Sequence, residues 1–170
     1  ERIAEHSLLS VGMPFDANVL NNERSRITSH MNDNGYYSFH RDFISYEVDT
    51  VSGSDKVHVR MVVSPRTDAS SGVSQMHQLY RVGDVCFTYD RSTGSPIWFR
   101  QSVLDKANSL VSGNIYRESD LSDTYSRINS LGAVAATNIQ LTPNAQDSTL
   151  LDAKVVITPA RLNAIQLGLD

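Results

Sequence analysis

The chain has 170 residues, of which 40% are hydrophobic and 20% charged, with a formal net charge of −4. This is the composition of an ordinary globular protein of one domain or two small ones, and without clustered Lys and Arg it gives no electrostatic reason to bind nucleic acid or an anionic membrane. Cys86 stands alone, which leaves no disulfide framework and no cysteine metal set, and no apolar run approaches the roughly 20 residues of a membrane helix.

A single cysteine suits a reducing compartment and equally a periplasm. Glu1 to Ser10 lack the basic start and apolar run of a signal peptide, which leaves a cytosolic protein or an excised piece. One pattern is then written twice. Gly12, Phe15, Leu20, Arg26 and Ile27 recur 101 residues later as Gly113, Tyr116, Leu121, Arg127 and Ile128. Each copy runs into a β-rich stretch closed by a proline, Pro65 or Pro159. Recurrence at a fixed offset marks duplicated modules, and the repeated positions are mostly apolar or turn-forming, as a scaffold requires.

In chain order, Ile3, His6 and Leu9 lie at helical spacing and match Leu104, Ala107 and Leu110, so each module is expected to open with a short helix stopped by Gly12 or Gly113. Asp16 is a good N-cap for a second helix, with Phe15 and Leu20 spaced as a hydrophobic staple. Leu20, Ile27 and Met31 form its buried stripe, and Asn22, Glu23, Ser25 and Ser29 are expected to face water. Asn34-Gly35 ends it. Ile44, Tyr46 and Val48 then alternate with polar residues. A turn through Ser52-Gly53-Ser54 leads to the alternation of Val57, Val59, Met61 and Val63, which predicts a β-hairpin.

The stretch Pro65 to Gln75 is rich in Ser, Asp and Gly and reads as a linker or ordered loop. Leu79 to Tyr89 predicts a strand that the first module lacks, with a bulge at Gly83-Asp84 where the alternation changes register. Trp98 and Phe99, at a helix start, are expected in the core or at a module interface. The second module's hairpin is expected over Val134 to Thr142 and Ala153 to Thr158, turning at Pro143-Asn144. Its order is strand, helix, helix, strand, strand. The first module starts at its first helix, which implies an opening strand upstream, a half-open sheet and low stability.

The tandem plan, with Gly35-Tyr36-Tyr37-Ser38-Phe39 at the end of the second helix, resembles the POTRA domains of the BamA/TamA outer-membrane assembly superfamily. Gly12-Met13-Pro14-Phe15-Asp16, the run Glu23 to Ile27, and Tyr80-Arg81-Val82-Gly83-Asp84-Val85 are most similar to the TamL lipoprotein branch. The second module departs from it, with Leu131-Gly132-Ala133-Val134 in place of Gly-Tyr-Tyr. The resemblance implies an α+β fold of tandem β-α-α-β-β modules, each a three-stranded mixed sheet covered on one face by two helices, the first without its opening strand. It divides the chain into a module at 1–65, a linker at 66–77, a module at 78–159, and a lead-in at 160–170 to a β-barrel outside this chain.

The same resemblance implies periplasmic scaffold and docking modules of an outer-membrane-anchored machine that assembles or translocates proteins. Their partners would be outer-membrane or lipoprotein clients and partner subunits, met by β-augmentation, in which a client strand pairs with an open sheet edge. The membrane would be reached only through the barrel. Candidate contacts are Phe39, Arg41, Phe43 and Ser45 on the first module's hairpin, then Thr137 and Ile139 on the second. Gly12, Phe15, Leu20, Ile27, Gly35, Tyr36, Tyr37, Gly113, Tyr116, Leu121 and Ile128 are structural. The alternatives are a rigid spacer docking a fixed subunit, or a small-ligand or enzymatic module. No catalytic residue, metal or cofactor is expected: the five histidines lack metal-site spacing and no nucleophile elbow frames a serine.

Overall fold

The computed structural model describes residues 3–50, 53–67, 72–92, 94 and 98–160, with side chains from Glu5 onward. The expected barrel lead-in, apart from Ala160, and Ser52 of the first hairpin turn lie outside the described residues. The chain divides into two compact units, Glu1–Leu79 and Tyr80–Asp170.

The second unit realises the whole expected order. Strand β5 (Arg81–Tyr89) is followed by α2 (Gln101–Ala107), α3 (Glu118–Asn129), β6 (Val134–Pro143) and β7 (Leu150–Pro159). The sheet order is β5-β7-β6, with β5 parallel and β6 antiparallel to β7. The central strand therefore turns Leu151, Ala153, Val155 and Ile157 onto the helices, and none is more than 2% exposed. Leu104, Ala107 and Ile128 meet them from α2 and α3. Burying a large aliphatic side chain is worth about 1.5–3 kcal/mol, so this one face holds most of the unit's stabilisation.

The expected bulge falls between Val82 and Val85, where β5 carries one residue more than β7. The carboxylate of Asp152 holds it: Oδ1 accepts from the Asp84 N–H at 3.0 Å and Oδ2 from Asn144 Nδ2 at 2.8 Å. Gly83 makes room for that carboxylate, since a Cβ there would stand 2.2 Å from Asp152 Oδ1.

The first unit contains a 3-10 turn (Ile3–His6), helix α1 (Ala17–Asp33), and the antiparallel hairpin of β1 (Ile44–Thr50) and β2 (Val57–Val63). Asp16 caps α1 as expected, accepting from the Asn18 N–H at 2.7 Å, and Gly35 follows its end with φ of 94°. Ile27, Phe39 and Ile44 are buried, with Met31, Tyr36, Phe43 and Tyr46 packed around them. Within the 66–77 stretch, Arg66–Thr67 (β3) pairs with Ser74–Gln75 (β4), as an ordered loop does. His77 beyond it docks on Phe39 and Phe43, at centroid distances of 4.8 and 4.6 Å.

Several local expectations are corrected. Gly12 and Gly113 do not stop the opening helices, which end at His6 and Ala107; they sit further on, in turns with φ of 86° and 84° that only glycine adopts cheaply. Phe15 is 54% exposed and not closed against a core, whereas its counterpart Tyr116 is 3% exposed. Trp98 is 59% exposed, its ring 4.7 Å from Tyr89 and beneath Arg91, while Phe99 packs on the core.

Glu23 does not face water either, being only 2% exposed. Its carboxylate accepts two bonds from the Arg26 guanidinium, both 2.8 Å, one from the Ser7 hydroxyl at 2.8 Å, and one from the Leu8 N–H at 3.0 Å. At the offset of 101, Thr124 does the same work with a hydroxyl, accepting from the Ser109 N–H at 2.9 Å. In both units the helix thus anchors the segment that leads into it. The Arg26 bond holds the Glu23 carboxyl at about 2 against burial, which pushes it up, with Leu8 and Ser7 assisting.

Three outcomes follow for stability. Gly83→Ala should cost the second unit about 1–3 kcal/mol in denaturant unfolding, because Asp152 or the bulge must move. Thr124→Val should cost about 1–2 kcal/mol by orphaning the half-buried Ser109 N–H. Glu23 titrates below its ordinary 4.5, so its contribution is complete above that pH and is lost as pH falls towards 2. That contribution is about 3 kcal/mol. Amide exchange of the first unit against pH should steepen over this window and flatten in Glu23→Gln.

Candidate partner-docking edges

A sheet edge is a row of backbone N–H and C=O groups without a neighbouring strand. Among the described residues β1 pairs only with β2, and β6 only with β7, so each presents one such row. On β1 the outward side chains Ser45, Glu47 and Asp49 are exposed, and Glu47 forms an ion pair across the hairpin with Arg60. On β6 the exposed side chains are Ala135, Ala136, Asn138, Gln140, Thr142 and Pro143, while Thr137, Ile139 and Leu141 turn toward the helices. Val134 to Thr142 contains no charged residue and no proline. Charge and proline are the usual means of blunting an edge, and this strand has neither until Pro143.

The residues singled out from sequence fall differently from expectation. Phe39 is a core residue, 2% exposed, and does not lie on a strand. The strand begins only at Ile44, because a turn closed by Phe39 N–H to the Tyr36 carbonyl, then a 3-10 turn over Arg41–Phe43, carries the chain in from α1. Arg41 is exposed on that turn. Phe43 is half-buried between Phe39 and His77, and Ser45 alone of the four stands outward on the edge strand. Thr137 is 7% exposed and Ile139 packs on the core, so what they can offer a partner is backbone.

Of the structural set, Ile27, Gly35, Tyr116 and Ile128 are buried, and Leu20, Tyr36, Tyr37 and Leu121 half-buried. Sequence reasoning missed the docked His77, whose Nε2 lies 2.9 Å from the Ser64 carbonyl oxygen, because that contact joins residues 13 apart in an irregular segment. Within the second module's candidate stretch, Thr137 to Thr142, sequence reasoning named the inward Thr137 and Ile139 rather than their outward neighbours Asn138 and Gln140, which continue the row from Ala136.

No model of a known protein family matches the sequence, and no curated protein matches it. Solved structures do. The chain is similar to BamA from Haemophilus ducreyi lacking POTRA domains 1 to 3, with a TM-score of 0.64 and 16% identity over 91% of this chain and 26% of that one. It is likewise similar to POTRA domains 3 to 5 of BamA from Haemophilus influenzae, with a TM-score of 0.56 and 14% identity over 89% of this chain and 52% of that one. The chain thus spans about half of one matched chain and a quarter of the other. At these identities the likeness establishes the fold: an α+β fold of the POTRA type, with a helix-covered mixed sheet in the second unit.

Proposed function

We propose that the two units are periplasmic scaffold modules of an outer-membrane protein assembly or translocation machine, and that they hold client or partner strands by β-augmentation. The observation that carries this reading is the long uncharged edge of β6, backed by a central strand whose inward face is buried. Backbone pairing supplies affinity with little dependence on client sequence, which suits a carrier of many clients. Each backbone bond nets only about 0.5–1.5 kcal/mol, so a short segment is held weakly and can be passed on. The fold shared with BamA supports the setting, and outer-membrane or lipoprotein clients are the partners that setting provides. The motifs similar to TamL favour the lipoprotein branch within it.

The β6 edge is the principal surface in this reading. The β1 edge, with Arg41 and Ser45 at its start, is the second, since Glu47 and Asp49 make it more selective. Photocrosslinkers at Asn138 and Gln140 in the full-length protein should capture extended partner segments. Replacing both residues with lysine should reduce that capture several-fold while leaving thermal unfolding of the second unit unchanged. Capture through the helical faces alone, indifferent to those lysines, would leave a rigid spacer as the better description.

A further inference from the structure

The sheet of the second unit has two edges, and they are not equally open. Along β5 the turn that follows α2 takes up backbone groups: Gly113 N–H donates to the Val82 carbonyl at 2.8 Å, Val82 N–H to the Asn114 carbonyl at 2.9 Å, and Tyr116 N–H to the Tyr80 carbonyl at 3.1 Å. Along β6, among the described residues, Ala136 to Thr142 meet no strand but β7 and are bonded by no turn.

The open edge reads nearly the same from both ends. Its regular stretch lies between the bulge at Val134/Ala136 and Pro143, whose nitrogen has no hydrogen to donate. The midpoint is Ile139. One residue out on either side stand amides, Asn138 and Gln140; two out stand Thr137 and Leu141; three out stand Ala136 and Thr142. Both amide side chains are exposed, and neither has a hydrogen-bond partner among the described residues.

We infer that the β6 edge seats a second copy of this chain, whose own β6 runs antiparallel to it about a two-fold axis at Ile139. In that register Asn138 lies opposite Gln140 of the second copy, and Gln140 opposite its Asn138. An amide carries both a donor and an acceptor, so each of these pairs is complementary in either sense. Thr137 meets Leu141 of the second copy on the helix-covered face, and Ala136 meets Thr142 on the outer one. The alternation is kept across the axis and no charge meets a like charge, as an isologous contact requires. β1 cannot do the same, because an axis at its midpoint sets Glu47 against Glu47 of the second copy.

With β5 already occupied by its turn, the pairing closes at two copies instead of running on as a filament. The contact is one strand wide, so it is weak and exchangeable. It shields an uncharged strand that would otherwise template wider aggregation. The inference stands on the open edge and its near-symmetry and goes beyond the client-docking reading, and its test contains no client.

Sedimentation equilibrium of the 170-residue chain should show a concentration-dependent monomer–dimer equilibrium. Asn138→Lys with Gln140→Lys in one chain, or Asn138→Glu with Gln140→Glu in another, should each weaken the dimer at least ~10-fold, since four like charges then face one another across the axis. An equimolar mixture of the two variants should associate again as a heterodimer, because every lysine then lies opposite a glutamate. The register has its own readout. In a Cys86→Ser background, a chain carrying Asn138→Cys should form disulfides with a chain carrying Gln140→Cys in preference to either with itself, since directly opposed positions are within disulfide reach and diagonal ones are not. A chain monomeric at every attainable concentration would overturn the inference and leave client docking at β6 to its own test. Self-association indifferent to the charge variants, or a mixture that does not pair, would overturn it too.

Discussion

A three-stranded sheet with helices on one face closes its core only when its central strand has a neighbour on both sides. The second unit meets that condition: β7 lies between β5 and β6, and its inward side chains are essentially removed from water. In the first unit β2 has one neighbour among the described residues, and the same row of apolar side chains stays about 40% exposed. At about 25 cal/mol per Å² of apolar surface, the difference is several kcal/mol of stabilisation in play for a unit of under 80 residues. Small units have little to spare.

The second recurring device is a polar anchor on the helix before the hairpin. Glu23 and Thr124 occupy equivalent positions, face inward, and accept a backbone N–H from equivalent positions on the incoming segment. A buried acceptor there satisfies a donor that the turn cannot pair with the backbone, and so fixes the entry angle of the helix. The two solutions differ in electrostatics. A hydroxyl carries no charge into the interior, whereas the carboxylate needs Arg26 beside it and makes the first unit alone sensitive to acid through this contact.

Both devices concern backbone more than reactive side chains, and that bears on what the units can do. The helices cover one face of the second unit's sheet, the opposite face is polar, and what remains to bind with is an edge. The exposed Asn138 and Gln140 neither repel an approaching strand nor select strongly among strands. The docking reading therefore asks little of any single side chain, and it is the spacing of carbonyl and amide groups along β6 that would meet a partner.

Periodicity in the chain determined the element types, the duplication, the hairpins, the Asp16 cap and the Gly83-Asp84 bulge, because each is a local consequence of alternation, capping or turn chemistry. The POTRA-type plan was legible only through resemblance, carried by that element order and the run Gly35 to Phe39. Tertiary structure alone decided which face each ambiguous residue took. Phe39 sits in the core rather than on a strand because the chain turns twice before Ile44, and Glu23 is inside because Ser7, Leu8 and Arg26 converge on it. Phe15 and Tyr116 share a place in the repeat yet lie 54% and 3% exposed, since burial depends on whether a strand from elsewhere in the chain covers the position. Local pattern sets what a segment can form; only the assembled sheet sets what it is covered by.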